Sequence, residues 1–159
     1  ASPSLVRTEA DELTYSFHVM IRYEIEKMIF AGEAEVKDLP AIWNQKYEEY
    51  LGVTPLSDTE GVLQDIHWAG GMFGYFPSYA LGSAIAAQLF HHMESIMPIK
   101  KYLEEGNLNP IREYLREHIH QYGAAKKTQQ ILMDTTGEGF NPDYYIAYLT
   151  EKFTKLYEL

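Results

Sequence analysis

Apolar residues recur at spacings of three and four along most of the chain, the period of a helix with one buried side. The first such run, Ala10, Leu13, Phe17, Ile21, Ile25 and Met28, predicts a helix that opens just after Pro3 and Ser4 and stops at Gly32. A second helix is predicted from Asp38 as N-cap, with Pro40 in its first turn, Ile42, Trp43, Tyr47 and Leu51 along it, and Gly52 at its end. Ser78 caps a third, running through Leu81, Ile85, Ala86, Leu89 and Phe90 to about Met93. Its small residues Gly82, Ser83, Ala84 and Ala87 allow close packing, which suits a central position. Pro98 opens a short helix that Gly106 closes. Asn109 and Pro110 start a helix to about Tyr122, and another runs from about Ala124 to Met133. Asn141 and Pro142 repeat the start signal for a last helix carrying Tyr145, Tyr148, Leu149, Phe153 and Leu156. No strand pattern competes, so the expected fold is all-α, about seven helices in one domain, without an internal repeat.

Residues 53–76 break this regularity. Pro55, Gly61, Gly70, Gly71 and Gly74, with Pro77 just beyond, interrupt any long helix. Yet the stretch concentrates Gln64, Asp65, His67, Trp68, Phe73, Tyr75 and Phe76. Polar and aromatic side chains gathered in an irregular segment point to a functional loop more than to a linker.

Composition narrows the function classes. The formal net charge of −10 argues against a phosphate-backbone partner, which needs clustered Lys and Arg. The absence of Cys rules out disulfides and thiolate metal sites. No apolar run approaches the ~20 residues that span a membrane. The 13 tyrosines suit half-buried surfaces, each ring being apolar in its body and polar at its tip.

Arg7, Asp11, Tyr15, His18 and Arg22 follow one another at helical spacing and are expected to share one face. Such a face can be merely solvated; alternatively Arg7 points into a cleft with Asp11 holding its guanidinium, whose planar fork suits a carboxylate. In an extended segment Asp65 and His67 face the same side, where a carboxylate can fix a histidine's tautomer. The six histidines do not build a metal site by pattern. No His-Glu-x-x-His occurs, His91–His92 with Glu94 lacks its one-face spacing, and His118 and His120 diverge on a helix. Gly-x-Ser-x-Gly, phosphate-cradling and calcium-loop patterns are also absent.

Two segments carry a resemblance. Val6–Arg7–Thr8–Glu9–Ala10–Asp11 resembles the Ile-Arg-x-x-Ala-Asp signature of the M32 metallocarboxypeptidases, with Val6 in place of the usual Ile. Residues Gly61 to Trp68 match the family's Gly-x-x-Gln-Asp-x-His-Trp at every fixed position. Leu81–Gly82–Ser83, Ala86–Ala87–Gln88, Gly106–Asn107, Asn109–Pro110–Ile111, Gly139, Asn141–Pro142 and the closing Lys152–Phe153 and Leu156–Tyr157 are similar to the family as well. The likeness spans nearly the whole chain.

The resemblance implies a largely helical, cytoplasmic enzyme with a long groove, commonly a homodimer, that removes single residues from peptide C-termini. It implies zinc or cobalt held by two His of a His-Glu-x-x-His helix and a later Glu, all expected upstream of residue 1. This chain then corresponds to the C-terminal, substrate-side portion, with no metal ligand of its own and no activity in isolation. On that reading Arg7 takes the substrate's terminal carboxylate and Asp11 orients Arg7. Tyr79, with Tyr75 as the alternative, donates to the oxyanion, supported by His67, which Asp65 orients. Gln64 and Trp68 shape the pocket wall. The alternative is a non-enzymatic helical domain that binds peptides or proteins. Neither reading involves nucleic acid or a membrane, and on the carboxypeptidase reading the missing groove walls would leave apolar faces that favour self-association.

Overall fold

The second predicted helix is found where its punctuation puts it. In the computed structural model, which describes residues 1–159 throughout, it spans Leu39–Leu51 (α2), with Asp38 at the N-cap position, Pro40 in the first turn and Gly52 at the C-cap with φ +66°. It packs against α1, Tyr15–Ala31, which ends at left-handed Gly32. Ile21 and Ile25 of α1 and Leu39, Trp43, Tyr47 and Leu51 of α2 form one buried cluster, with Leu5, Val62 and Trp68 packed onto it. Trp43 stacks on Tyr47 with ring centroids 4.9 Å apart. Side chains of this size each contribute roughly 1.5–3 kcal/mol on burial.

The start of α1 departs from the expectation. The helix begins at Tyr15, not near Ser4; Arg7–Glu9 form an isolated 3-10 turn and Ala10 is extended. The reason is visible at Asp11, whose carboxylate accepts the Thr14 N–H at 2.9 Å and the Thr14 hydroxyl at 3.0 Å, and also the Ser2 N–H at 2.6 Å. That local bond set competes with helix and stops α1 from extending backwards. Ala10 and Leu13 therefore lie outside the helix, and Phe17 is 36% exposed. The stripe that α1 buries beside Ile21 and Ile25 is polar: His18, Arg22 and Glu26, one turn apart.

The remaining helices are α3 (Pro77–Ile96), α4 (Ile99–Glu104), α5 (Asn109–His118), α6 (Thr128–Thr136) and α7 (Asp143–Tyr157). There is no strand, so the all-α expectation holds. Several boundaries shift. Ser78 does not cap α3 but lies within it, and the helix runs past Met93 to Ile96. The helix expected to run to Tyr122 ends at His118 and continues as a 3-10 turn, His120–Tyr122. The helix expected from Ala124 starts at Thr128 and runs on to Thr136, where Gly137 at φ +82° closes it. No helix is long and apolar enough to cross a membrane.

The chain divides into two compact units, Ala1–Leu81 and Gly82–Leu159, a division the sequence pattern does not announce because it falls inside α3. In the second unit the buried Gln88 amide donates to Gly139 O at 2.8 Å and accepts the Asn141 N–H at 3.0 Å, tying α3 to the start of α7. Leu132 and Thr135 of α6 are buried, and the Thr135 hydroxyl donates to His118 O at 3.3 Å.

Candidate substrate-binding site

The polar stripe of α1 is buried because the irregular segment after α2 folds over it. Glu26 holds that segment at two points, accepting the Trp68 indole N–H at 2.8 Å and the Gly74 amide at 2.9 Å. Gly74 has φ +75°, a conformation that favours glycine. Trp68 also meets Trp43 edge-on at 6.0 Å. Glu26→Gln places an amide N–H₂ against one of these two donors. It is expected to cost about 1–3 kcal/mol, the penalty of an unsatisfied buried group. A lower urea midpoint with faster exchange of the Gly74 amide proton checks this.

Asp65 lies at the centre, between two guanidinium groups. Its Oδ1 accepts from Arg7 Nε at 3.2 Å and Nη2 at 2.9 Å; its Oδ2 accepts from Arg22 Nε at 2.6 Å. Arg22 is completely buried. Its Nη1 donates to His18 O at 2.7 Å and the Tyr47 hydroxyl at 3.2 Å, its Nη2 to Gln64 Oε1 at 2.8 Å, and its plane lies 4.5 Å from the Trp43 ring. Arg7, 7% exposed, also donates from Nη1 to the Tyr15 hydroxyl at 3.2 Å and sits 4.7 Å from the Tyr79 ring. Gln64 binds the two arginines together, accepting the Arg7 backbone N–H at 3.1 Å as well as Arg22, and donating to Leu5 O and Glu60 O.

The His67 ring, buried, contacts the Tyr79 hydroxyl through Nε2 at 3.0 Å and packs 4.4 Å from the Phe76 ring. Its Nδ1 makes no hydrogen bond within the chain. Tyr75, half exposed, is 5.9 Å from the His67 ring and 5.4 Å edge-on from Tyr79. Of the two tyrosines, only Tyr79 is hydrogen-bonded to the histidine.

Charge follows this geometry. Burial pushes the Asp65 carboxyl up, but Arg22 and Arg7 more than offset it and hold it below its ordinary value. Burial pulls the Arg7 guanidinium down, and Asp65 together with Tyr15 reverses this, leaving it raised. Burial, with Arg22 and Arg7 adding to it, depresses His18 to about 4, so its ring is neutral at physiological pH.

Arg7, Gln64, Asp65, His67, Trp68, Tyr75 and Tyr79 all lie in the first unit, linked by the contacts above. Two assignments within it are corrected. Asp11 does not orient Arg7, because its carboxylate is engaged by Ser2 and Thr14 at the start of α1; Asp65 holds the guanidinium instead. Asp65 does not orient His67 through a hydrogen bond, because Nδ1 is 3.8 Å away and both carboxylate oxygens face arginines. Trp68 and Gln64 bond and pack against α1, α2 and the first residues of the chain. Sequence reasoning overlooked Glu26 and left Arg22 without a role. The signal was the run His18, Arg22, Glu26 at one-turn spacing beside Ile21 and Ile25.

No three His, Asp or Glu come together in a group that could hold a metal ion. His91 and His92 line a separate cavity of about 190 Å³ in the second unit, with Glu138 and Tyr144.

The scaffold is all-helical and holds a buried arginine, paired with Asp65, beside a His67–Tyr79 pair. The family follows from comparison: residues 1–153 match the model of the carboxypeptidase Taq (M32) metallopeptidases, and the chain belongs to that family. It is similar over its full length to Carboxypeptidase 1 of Bacillus subtilis (strain 168), at 54% identity, and covers 32% of that protein. It is 42% identical to Thermostable carboxypeptidase 1 of Thermus thermophilus over 98% of its own length and 31% of the relative's. The M32 carboxypeptidase structure from Deinococcus radiodurans R1 superposes with a TM-score of 0.95 at 33% identity, covering 100% of this chain and 32% of that one. The chain spans about a third of the length of the curated relatives it matches.

Proposed function

We propose that this chain is the substrate-binding region of a metal-dependent carboxypeptidase that releases single residues from peptide C-termini, and that Arg7 receives the terminal carboxylate. The observation that carries the reading is the state of Arg7. Asp65 takes N–H groups on Nε and Nη2, and Tyr15 takes one on Nη1. One N–H remains on each terminal nitrogen, the number a carboxylate needs for two parallel bonds. Tyr79 stands beside this fork with its hydroxyl on His67. A proton on His67 Nε2 makes the Tyr79 oxygen the acceptor and frees the Tyr79 O–H to donate to a developing oxyanion. Tyr75 flanks the pair and supplies apolar wall.

The metal, zinc or cobalt, would be held by residues outside this chain and would supply the activated water. A cytoplasmic location and a homodimer belong to the same reading. The test is a side-by-side peptidase assay, with zinc or cobalt added, of the isolated chain and the complete product of its gene. Trimming by the complete product alone is the expected outcome. Release of C-terminal residues by the isolated chain would place the metal site within these 159 residues and overturn the reading.

A further inference from the structure

Arg7 and Arg22 share a single carboxylate, yet only one of them can serve a ligand. Arg22 is fully buried, and Asp65, Gln64, His18 O and Tyr47 between them take donors on all three of its nitrogens, both of those on Nη1. It retains at most one N–H, too few for a carboxylate fork. Arg7 retains one on each terminal nitrogen. The division has an electrostatic consequence. Were Asp65 paired with Arg7 alone, the pair would be neutral, and a carboxylate arriving at Arg7 would also meet the Asp65 charge nearby. With Arg22 bound to Oδ2, two positive charges surround one negative, and the surplus is available only at Arg7. In a site this buried a surplus charge acts strongly, because little water screens it.

We propose that Arg22 is a positioning residue for ligand recognition: by occupying Asp65 Oδ2 it leaves Asp65 holding Arg7 through Oδ1 and leaves Arg7 with net positive charge, so that the site distinguishes a free terminal carboxylate from its uncharged amide. The proposal rests on the assignment of Arg7 to carboxylate binding. It goes beyond that assignment by giving the discrimination to a residue the ligand does not touch. Besides its loop partners Asp65 and Gln64, Arg22 is held from the α1–α2 core by the Trp43 face, the His18 carbonyl and the Tyr47 hydroxyl.

The experiment measures dissociation constants of the 159-residue chain for an N-acetylated dipeptide with a free C-terminus and for the same dipeptide as its C-terminal amide. Wild type, Arg7→Met, Arg22→Met and Arg22→Lys are compared. Wild type is expected to favour the acid by about tenfold or more, a loss of charge-assisted hydrogen bonds being of that order. Arg22→Met is expected to lower acid affinity about tenfold while amide affinity stays within about twofold. Arg22→Lys, which keeps the charge, is expected to retain most of the preference even if Arg22→Met does not fold. Equal losses for acid and amide in Arg22→Met, or loss of the preference in a folded Arg22→Lys, would overturn the role of Arg22 and leave Arg7 in place. A wild-type chain indifferent to acid and amide, unchanged by Arg7→Met, would overturn the carboxylate reading and this inference with it.

Discussion

Arg7→Met in the complete gene product is expected to lower kcat/KM for release of C-terminal residues by about thirtyfold to several-thousand-fold. The range follows from removing one partner of a desolvated, hydrogen-bonded charge pair, about 2–5 kcal/mol, at tenfold per ~1.4 kcal/mol. Arg22, the neighbouring guanidinium, cannot take the place of Arg7, since it is buried and its donors are occupied. Arg7→Lys should recover only part of the rate: an ammonium replaces the charge but cannot bond Asp65 and a ligand through one rigid plane. The substitution also removes a partner of Asp65, so melting curves of the variant are needed. Asp65 keeps Arg22 at 2.6 Å, and the loss of stability should therefore be small beside the loss of rate. A folded Arg7→Met enzyme that still trims peptides at the wild-type rate would remove Arg7 from substrate recognition.

How much of this was legible in the sequence depended on whether the signal was local. Pro40, Gly52, Gly106 and Asn109–Pro110 act within one turn of where they stand, and the helix ends they mark lie where predicted. The start of α1 was not legible, because helical spacing continued through Ala10 and Leu13 while Asp11 bonded Thr14 instead. The same competition misled the site reading. Four-residue spacing placed Asp11 beneath Arg7, but Arg7 is not on the helix; its partner is Asp65, fifty-eight residues on. Such a pair leaves no periodic trace. Gln64, Asp65, His67 and Trp68 were found through the composition of an irregular segment and a resemblance, whereas their division of labour required coordinates. Glu26 was hidden for another reason: on a helix a buried Glu has the same spacing as an exposed one, and only its contacts with Trp68 and Gly74 show what it does.

The consequence for stability is sharpest at Asp65. Asp65→Asn leaves Arg7 and Arg22 facing each other across a neutral amide, one of whose ends is itself a donor. Removing one partner from a buried ion pair costs about 3–5 kcal/mol, and here both guanidinium groups lose their counter-charge. A small domain has about 5–15 kcal/mol in total, so Asp65→Asn is expected to be the more disruptive of the two substitutions and to leave the first unit only marginally folded. The effect should depend on pH in a defined sense. The Asp65 carboxyl is held below its ordinary value of 3.8 in the folded chain, so near and below that pH the unfolded chain binds the extra proton more readily. Its contribution is therefore complete above the unfolded value and declines as pH falls through the lower, folded value. The amide that replaces the carboxylate in the variant cannot titrate. The stability gap between wild type and Asp65→Asn, measured by urea unfolding at pH 7, 5, 4 and 3, should be widest at the first two and narrow at the last. Because the other carboxylates titrate in both proteins, the difference isolates this one. A gap that stays constant across the series, or one below about 0.5 kcal/mol at pH 7, would mean that the arginines are held by their other partners and that Asp65 is not what organises them.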